Sequence, residues 1–466
     1  MKRFLTILLT TLALTAALCV NASAANFDSL AEELAAIGMF KGTADGFALD
    51  QVPTRGQAAI MLVRLYGAEP EAQNTYRSGR ITCPFTDVNE TVAPYVAWLA
   101  DAGIANGTSE TTFGAGDPCT AKAYTIFLLR ALGYEDNSDF TSATAQEFAA
   151  SLGMMDTSAF TGAFLRDDLA ALTYQALGTD LKDGSTYLLD SLIKEDVIEY
   201  NAAFPIVDKI EKSRALNAAS EAACKGMSAN IDMSMAVTVS GKDLQEMDRV
   251  EHTKIDGKGQ IKMIMDKNPQ MAFEMKLTAD GQEEEAKMWL RDGWMYTQSG
   301  ETAQKVEAPE LAELYQELMS AGVAKNSGTS MLLFLKNISE KTSGSDKIYT
   351  LEINDAFANL MNSMVAQVLQ ESGLEEDVLG TITIDNSAIT YTVKNSTLRN
   401  ANLDLGLSLG MKAEDAEVNV GISLQFEMDI VASGSAVKIT YPDFSDFEEV
   451  IGGADGPTGI YGALIL

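Results

Sequence analysis

The sequence predicts a multidomain chain: an all-α module of helical repeats, then an α+β region whose antiparallel sheet is covered by helices. Three observations carry this. A fourteen-residue pattern recurs at 54–67, 120–133 and 165–178, and self-similarity of this kind marks a repeat architecture. Beyond about residue 226 the apolar period changes from 3.6 to 2, from helix to strand. The 466 residues, 46% of them hydrophobic, exceed what one core ordinarily organises.

The three copies read TRGQAAIMLVRLYG, TAKAYTIFLLRALG and LRDDLAALTYQALG. Ala59, Leu62 and Val63 fall at helical spacing, as do Thr125, Leu128 and Leu129, and Ala170, Thr173 and Tyr174. The two threonines depart from an apolar pattern. Thr54 and Thr120 are expected N-caps, and the closing Gly67, Gly133 and Gly178 expected C-caps. A short helical pattern and a glycine turn precede each copy: Gly38–Gly42, Gly103–Gly107 and Gly153–Thr157.

This unit resembles the S-layer homology repeat, whose pattern runs Phe-x-Asp, an aromatic helix, Gly-Ile-x-x-Gly, a Gly-x-Phe loop and Thr-Arg-Ala-Glu. The second repeat keeps the front half: Phe85-Thr86-Asp87-Val88, Tyr95, Trp98, Gly103 to Gly107 and Phe113. The first keeps the back half: Asp45-Gly46-Phe47 and Pro53-Thr54-Arg55. The third keeps mainly Arg166 and its helix. The resemblance implies a pseudo-threefold helical module over residues 27–200 that grips secondary cell-wall polysaccharide, pyruvylated in this family. It divides the region into repeats at 25–70, 81–135 and a degenerate 139–200. It implies that Arg55, and more weakly Arg166, meets an acidic sugar between repeats, a task suited to a guanidinium fork. Ala121 replaces the arginine in the middle copy, where Lys122 is the substitute. Thr54, Asp87, Trp98 and Gly107 complete the implied glycan-binding set: Asp87 as a sugar or cap acceptor, Trp98 as a packing or stacking face.

Net charge is −32, which excludes the basic surface that nucleic-acid binding needs. Attachment to an anionic wall must then come from local cationic pockets. Residues 1–24 read as a signal peptide: Lys2 and Arg3, the apolar run Phe4–Val20, and Ala22-Ser23-Ala24 before a cut near Ala25. The alternative is an N-terminal membrane anchor. Leu18 is too bulky for a lipoprotein reading at Cys19. Removing those two basic residues and no acids leaves 32 basic against 66 acidic, about −34. Nothing later is long and apolar enough to span a bilayer, so a secreted, cell-surface location is expected. Cys83 and Cys119 flank the loop of the second repeat, and two readings stay open, a disulfide or two free thiols. Cys224 sits in a helical pattern and reads as buried. No metal-ligand spacing occurs, and no cofactor is expected.

Phe204-Pro205 is expected to break the helical pattern, and Arg214–Gly226 to form another helix. Alternation then dominates: Ile231 to Val239, Ile261 to Met265, Met271 to Leu277, the hairpin 287–296 around Arg291-Asp292-Gly293, Ile382 and Ile384, Leu403 to Leu409, and Val418 to Ile430. One apolar and one polar face on consecutive strands implies a large antiparallel sheet. Helical patterns at 309–321, 331–338 and 356–370 are expected to cover it. With its Met-bearing first strand and KMWLRDGWMY hairpin, this layout over 205–445 resembles Gram-positive secreted domains of DUF6612 type related to the lipoprotein-sorting carriers. The resemblance implies a half-open barrel whose concave face holds a lipid or other apolar ligand. Met233, Met263, Met265, Phe273 and Met275 are the candidate cavity residues. The chain's 21 methionines suit an adaptable cavity, and equally an ordinary core.

Gly406-Leu407-Ser408-Leu409-Gly410 matches the hydrolase elbow in letters only, because it lies in an alternating strand with no helix after it. His252, the sole histidine, is the only base on offer. No catalytic residue is therefore expected. Asp136-Asn137-Ser138-Asp139 lacks the glycine and distal glutamate of a calcium loop and reads as a turn. The tail 446–466 carries GGADGPT, a short likeness to a loop of sodium-pumping decarboxylase subunits from which no transport is carried over. Two classes compete for the whole: a wall-anchored surface protein that binds something apolar or merely displays itself, and a wall-anchored enzyme.

Overall fold

A computed structural model of the chain describes residues 27–42, 46–155, 157, 163–242, 248–266, 268–279, 281–307, 329–357, 379–413 and 416–449. The expected signal peptide, the GGADGPT tail, the covering pattern at 309–321 and most of that at 356–370 lie outside the described residues. The chain divides into a helical unit, Asn21–Arg214 with Lys325–Phe334, and a sheet unit, Ala215–Ala324 with Leu335–Leu466.

The helical unit contains α1 (Asp28–Ala36), α2 (Arg55–Leu65), α3 (Glu69–Arg77), α4 (Ala93–Asp101), α5 (Ala121–Ala131), α6 (Ala145–Ser151), α7 (Arg166–Gly178), α8 (Leu188–Lys194) and the first part of α9 (Tyr200–Lys225). The recurring pattern forms α2, α5 and α7. All nine residues expected on its inner face are buried to 1% exposure or less. The two threonines among them are tolerated because their hydroxyls are bonded. Thr173 Oγ1 lies 2.6 Å from Tyr124 Oη and 2.7 Å from the Leu169 carbonyl, and Thr125 pairs with Thr157.

Thr54 and Thr120 are N-caps, each accepting at 3.2 Å from the amide three residues on. Gln57 completes a capping box with Thr54. Gly67 (φ 67°) and Gly133 (φ 89°) end their helices in the left-handed region that spares glycine a Cβ clash. The third copy departs at both ends. Leu165 has no side-chain acceptor, and its amide donates instead to Asp168 at 2.8 Å. Gly178 remains helical, with Thr179 closing α7 in an extended conformation.

Pro205 does not break the chain. It is the sixth residue of α9, inside the helix, which continues through it at the cost of one backbone hydrogen bond. The buried Ala203, Ile206 and Ile210 and a Lys209–Glu33 pair at 2.6 Å hold this stretch in the helical unit, whose boundary falls at 214 rather than 205. The helix expected at 331–338 is also corrected. Thr329–Leu332 is a single turn, α10, in the helical unit, and a strand begins at Leu335. Leu332, Leu335 and Ile338 fall three apart, which imitates a helical face, but alternation takes over.

The sheet unit holds β1 (Gly226–Lys242), β2 (Asp248–Ile264), β3 (Gln270–Ala279), β4 (Gln282–Arg291), β5 (Trp294–Ser299), β6 (Thr302–Glu307), β7 (Leu335–Ser343), β8 (Asp346–Ile353), β9 (Leu379–Lys394), β10 (Thr397–Ala413), β11 (Ala416–Ser433) and β12 (Glu448–Glu449). They form one sheet in the order β12-β6-β5-β4-β3-β2-β1-β11-β10-β9-β8-β7. Every pairing is antiparallel except the two-residue β12, which runs parallel to β6 and makes the sheet mixed. The Asp292-Gly293 turn joins β4 to β5 with both residues at positive φ, the two-residue hairpin geometry.

Candidate functional site

In the helical unit, the backbone at the start of α2 docks on the loop of the second repeat. The Arg55 amide donates to Asp117 O (2.8 Å) and that of Gly56 to Ala115 O (3.0 Å). The Arg55 side chain folds onto the same loop. Its Nε donates to Phe113 O and its Nη2 to Asn106 O, both at 3.0 Å, and the guanidinium lies 4.8 Å over the Phe113 ring. The start of α7 repeats this on the loop of the first repeat. Arg166 N donates to Gln51 O and Nε to Phe47 O, both at 2.8 Å, with the guanidinium 5.1 Å over Phe40. Phe47 and Phe113 hold the same position in their repeats.

Among the described residues, neither guanidinium pairs with a carboxylate. Arg64 and Arg130, at the eleventh position of their copies, do: Arg64 meets Glu69 at 3.2 Å and Arg130 meets Asp136 at 2.6 Å. Burial lowers the Arg55 and Arg166 pKa values from their ordinary range. A partly desolvated cation facing carbonyls and rings has its charge left to satisfy, and an anion would satisfy it.

The other predicted residues take distinct places. Asp87 is exposed and accepts from the backbone amides of Phe113 (2.8 Å), Gly114 (2.7 Å) and Ala115 (3.4 Å). Those bonds lower its pKa and fix the loop that presents Phe113 O to Arg55. Gly107 is required sterically, since a Cβ there would meet Phe85 and Thr112 O at 2.4 Å. Thr54 spends its hydroxyl on the cap. Trp98 is half-buried, with its ring 5.9 Å from that of Tyr66. Lys122 is exposed on the first turn of α5, and most of the third-repeat loop, 156 and 158–162, lies outside the described residues. Cys83 and Cys119 are free thiols, each directed at a carbonyl, Phe85 O and Thr120 O. Burial raises the Cys119 pKa to about 12. Cys224, read as buried, is half-buried.

Sequence reading passed over the eleventh position. Arg64 donates to Met39 O (3.1 Å), Arg130 to Ile104 O (2.8 Å), and Gln175 accepts from Met155 N (2.8 Å). In all three copies this side chain ties down the glycine turn. The repeated arginine at one offset was the available signal. Beside Arg166, buried Asp167 accepts from Phe27 N at 2.9 Å, and burial raises the Asp167 and Asp168 pKa values to about 7 and about 6.

In the sheet unit, cross-strand partners place Ile338, Leu351, Ile389, Leu403, Phe426, Met233, Gly257 and Leu277 in one row on one face. Met263, Phe273 and Met275 share that face, and Met265 lies one residue past β2, its amide bonded to Lys225 O. A Cβ on Gly257 would meet Leu277, Met275 and Met233 side-chain atoms at 3.0, 3.2 and 3.3 Å. Three flexible side chains thus close over a floor without a side chain. Met275 is buried, while Met233, Met263, Met265 and Phe273 are half-buried.

The opposite face is polar. His252, Thr238, Gly421, Ser408 and Thr383 follow one another across five strands. Ser408 is therefore three strand spacings, about 14 Å, from His252. Ser408 Oγ instead donates to Asp385 at 2.5 Å. The Asp136–Asp139 turn is spoken for by cations, Arg130 on Asp136 and Lys182 on Asp139. Among the described residues no cluster of three metal-ligating groups occurs, and no helix is long and apolar enough to cross a membrane.

Residues 84–120 match the model of the S-layer homology domain, and residues 212–439 match that of a family of unknown function (DUF6612). The stretch similar to an S-layer homology domain thus lies in the helical unit, at the repeat that supplies Asp87 and Phe113. Among solved structures, LprF from Mycobacterium bovis is similar at 13% identity and a TM-score of 0.23, over 50% of this chain and 97% of that one. No curated protein sequence matches the chain.

Proposed function

We propose that the chain is a cell-surface binding protein, exported by its N-terminal signal and held on wall polysaccharide by its helical unit. The observation that carries this is the pair of like-built pockets at Arg55 and Arg166, each a guanidinium over a phenylalanine ring without a carboxylate partner. Their docking is directional: the first repeat's helix sits on the second's loop, the third's on the first's. Extended to the second and third repeats, this closes a pseudo-threefold ring whose remaining groove has Lys122 in place of an arginine. The ligand chemistry is a carboxylate-bearing sugar, such as a pyruvylated one, which a fork recognises through two oxygens.

The sheet unit's part in this reading is to bind a lipid or other apolar ligand on its methionine-bearing face. Half-buried Met233, Met263 and Phe273 support it, since methionine adapts to guests of varied shape. The role is binding rather than catalysis, in keeping with the separation of His252 from Ser408. The test uses full-length protein and isolated wall sacculi, with and without their secondary polysaccharide. Binding to intact walls alone is expected; equal binding to stripped walls would overturn the attachment, and saturable uptake of a fluorescent fatty acid tests the sheet face separately.

A further inference from the structure

The polar face of the sheet unit carries one aromatic patch, at the ends of β4 and β5. Trp289 and Tyr296 are cross-strand partners, on the face opposite Met275. A segment from the far end of the chain covers them. After β11 the chain passes Val437, crosses toward the sheet edge, and adds β12 beside β6. On the way Phe444 stacks on Tyr296 at 3.7 Å, and Phe447 meets Trp289 at 6.0 Å and Tyr296 at 5.7 Å. Tyr441 donates to Gln270 at 2.9 Å and lies under the Arg291 guanidinium at 5.0 Å. Glu449 pairs with Lys305 at 3.2 Å.

The segment is built like a bound peptide rather than a core element. It holds no regular element before β12, only a turn closed by Phe447 N donating to Phe444 O at 3.2 Å, and Phe444 and Phe447 are only half-buried, whereas Trp289 beneath them is 3% exposed. It is acidic, with Asp443, Asp446, Glu448 and Glu449, and Glu449 meets Lys305 of the edge strand. Backbone pairing at a sheet edge with aromatic pockets beside it is how sheets take up peptides in trans. The segment also lies past the DUF6612 match, which ends at 439.

We propose that the Trp289–Tyr296 face with the β6 edge is a peptide-docking groove for an acidic Phe-x-x-Phe turn and the short strand after it, filled in cis here by residues 441–449 and able to take that segment from a second copy of this chain. Exchange would link two chains with no new contact type, the low-cost route to a dimer.

Two full-length variants test this. Phe444→Ala with Phe447→Ala disables the segment and leaves the groove; Trp289→Ala with Tyr296→Ala disables the groove and leaves the segment. Each alone should sediment as a monomer, and an equimolar mixture should form a one-to-one dimer. A mixture that stays monomeric with both variants folded overturns the proposal. Should either variant not fold, hydrogen exchange on the unaltered chain decides: amides at 444–449 should exchange at least tenfold faster than those at 289–296. Equal protection would make the segment an integral part of the sheet and overturn the docking reading.

Discussion

The repeated helices α2, α5 and α7 bury their inner faces completely, and the longest strand of the sheet does not. Leu62, Leu128, Leu129 and Tyr174 are wholly enclosed. Ile422, Leu424, Phe426 and Met428, on the longest strand, are half-buried. A closed core spends its side chains on stability, and its cationic chemistry lies at the helix starts, with Arg55 half-buried and Arg166 buried. A face of half-buried side chains keeps apolar area in reserve, the raw material of an apolar site.

The largest expected effect tests this contrast directly. Leu128→Ala in the helical unit should cost about 2–5 kcal/mol. Ile422→Ala on the sheet should cost less than half as much, because less area and no sealed cavity is involved. Denaturant unfolding followed separately in each unit by hydrogen exchange reads both; equal losses would mean that the sheet face is as tightly packed as the helical core.

Acid–base behaviour should also divide the units. Asp167 and Asp168 are raised to about 7 and about 6 by burial. A carboxyl raised above its unfolded value near 3.9 favours the fold when protonated. That contribution is full below about pH 4 and is lost as pH rises through 6 to 7. Thermal melting of the helical unit should fall over this window, and Asp167→Asn with Asp168→Asn should flatten the fall. A pH profile unchanged by the double substitution would remove these groups as its cause.

The smallest effect concerns the middle repeat. Lys122→Ala should change wall binding by less than about 0.5 kcal/mol, because an exposed point charge contributes little. A loss comparable with that of an arginine variant would show a third working groove.

How much of this was legible in the sequence follows from what fixes each element. Thr54, Thr120 and the inner faces of α2, α5 and α7 were readable because caps and periodicity are local. The face shared by Met233, Met263, Phe273 and Met275 was readable because a strand alternates strictly. The free thiols of Cys83 and Cys119 were one of two open readings, since pairing depends on a distance the spacing does not set. Pro205 misled because the buried Ala203, Ile206 and Ile210 around it hold the helix together by tertiary packing, which a local rule does not see. Residues 331–338 misled because three-residue spacing of large side chains precedes a strand whose first bonds are non-local. The Trp289–Phe444 contact was invisible for the same reason: it joins positions far apart, through an edge strand two residues long.

The central claim is that two unpaired guanidiniums carry attachment. Full-length protein with Arg55→Ala and Arg166→Ala, assayed on intact sacculi beside the unaltered chain, tests it most directly. Each charge-assisted bond is worth about 1.5–3 kcal/mol, so the pair should weaken binding by roughly a hundredfold or more with the helical unit still folded. Binding within about twofold of the unaltered chain would contradict the account.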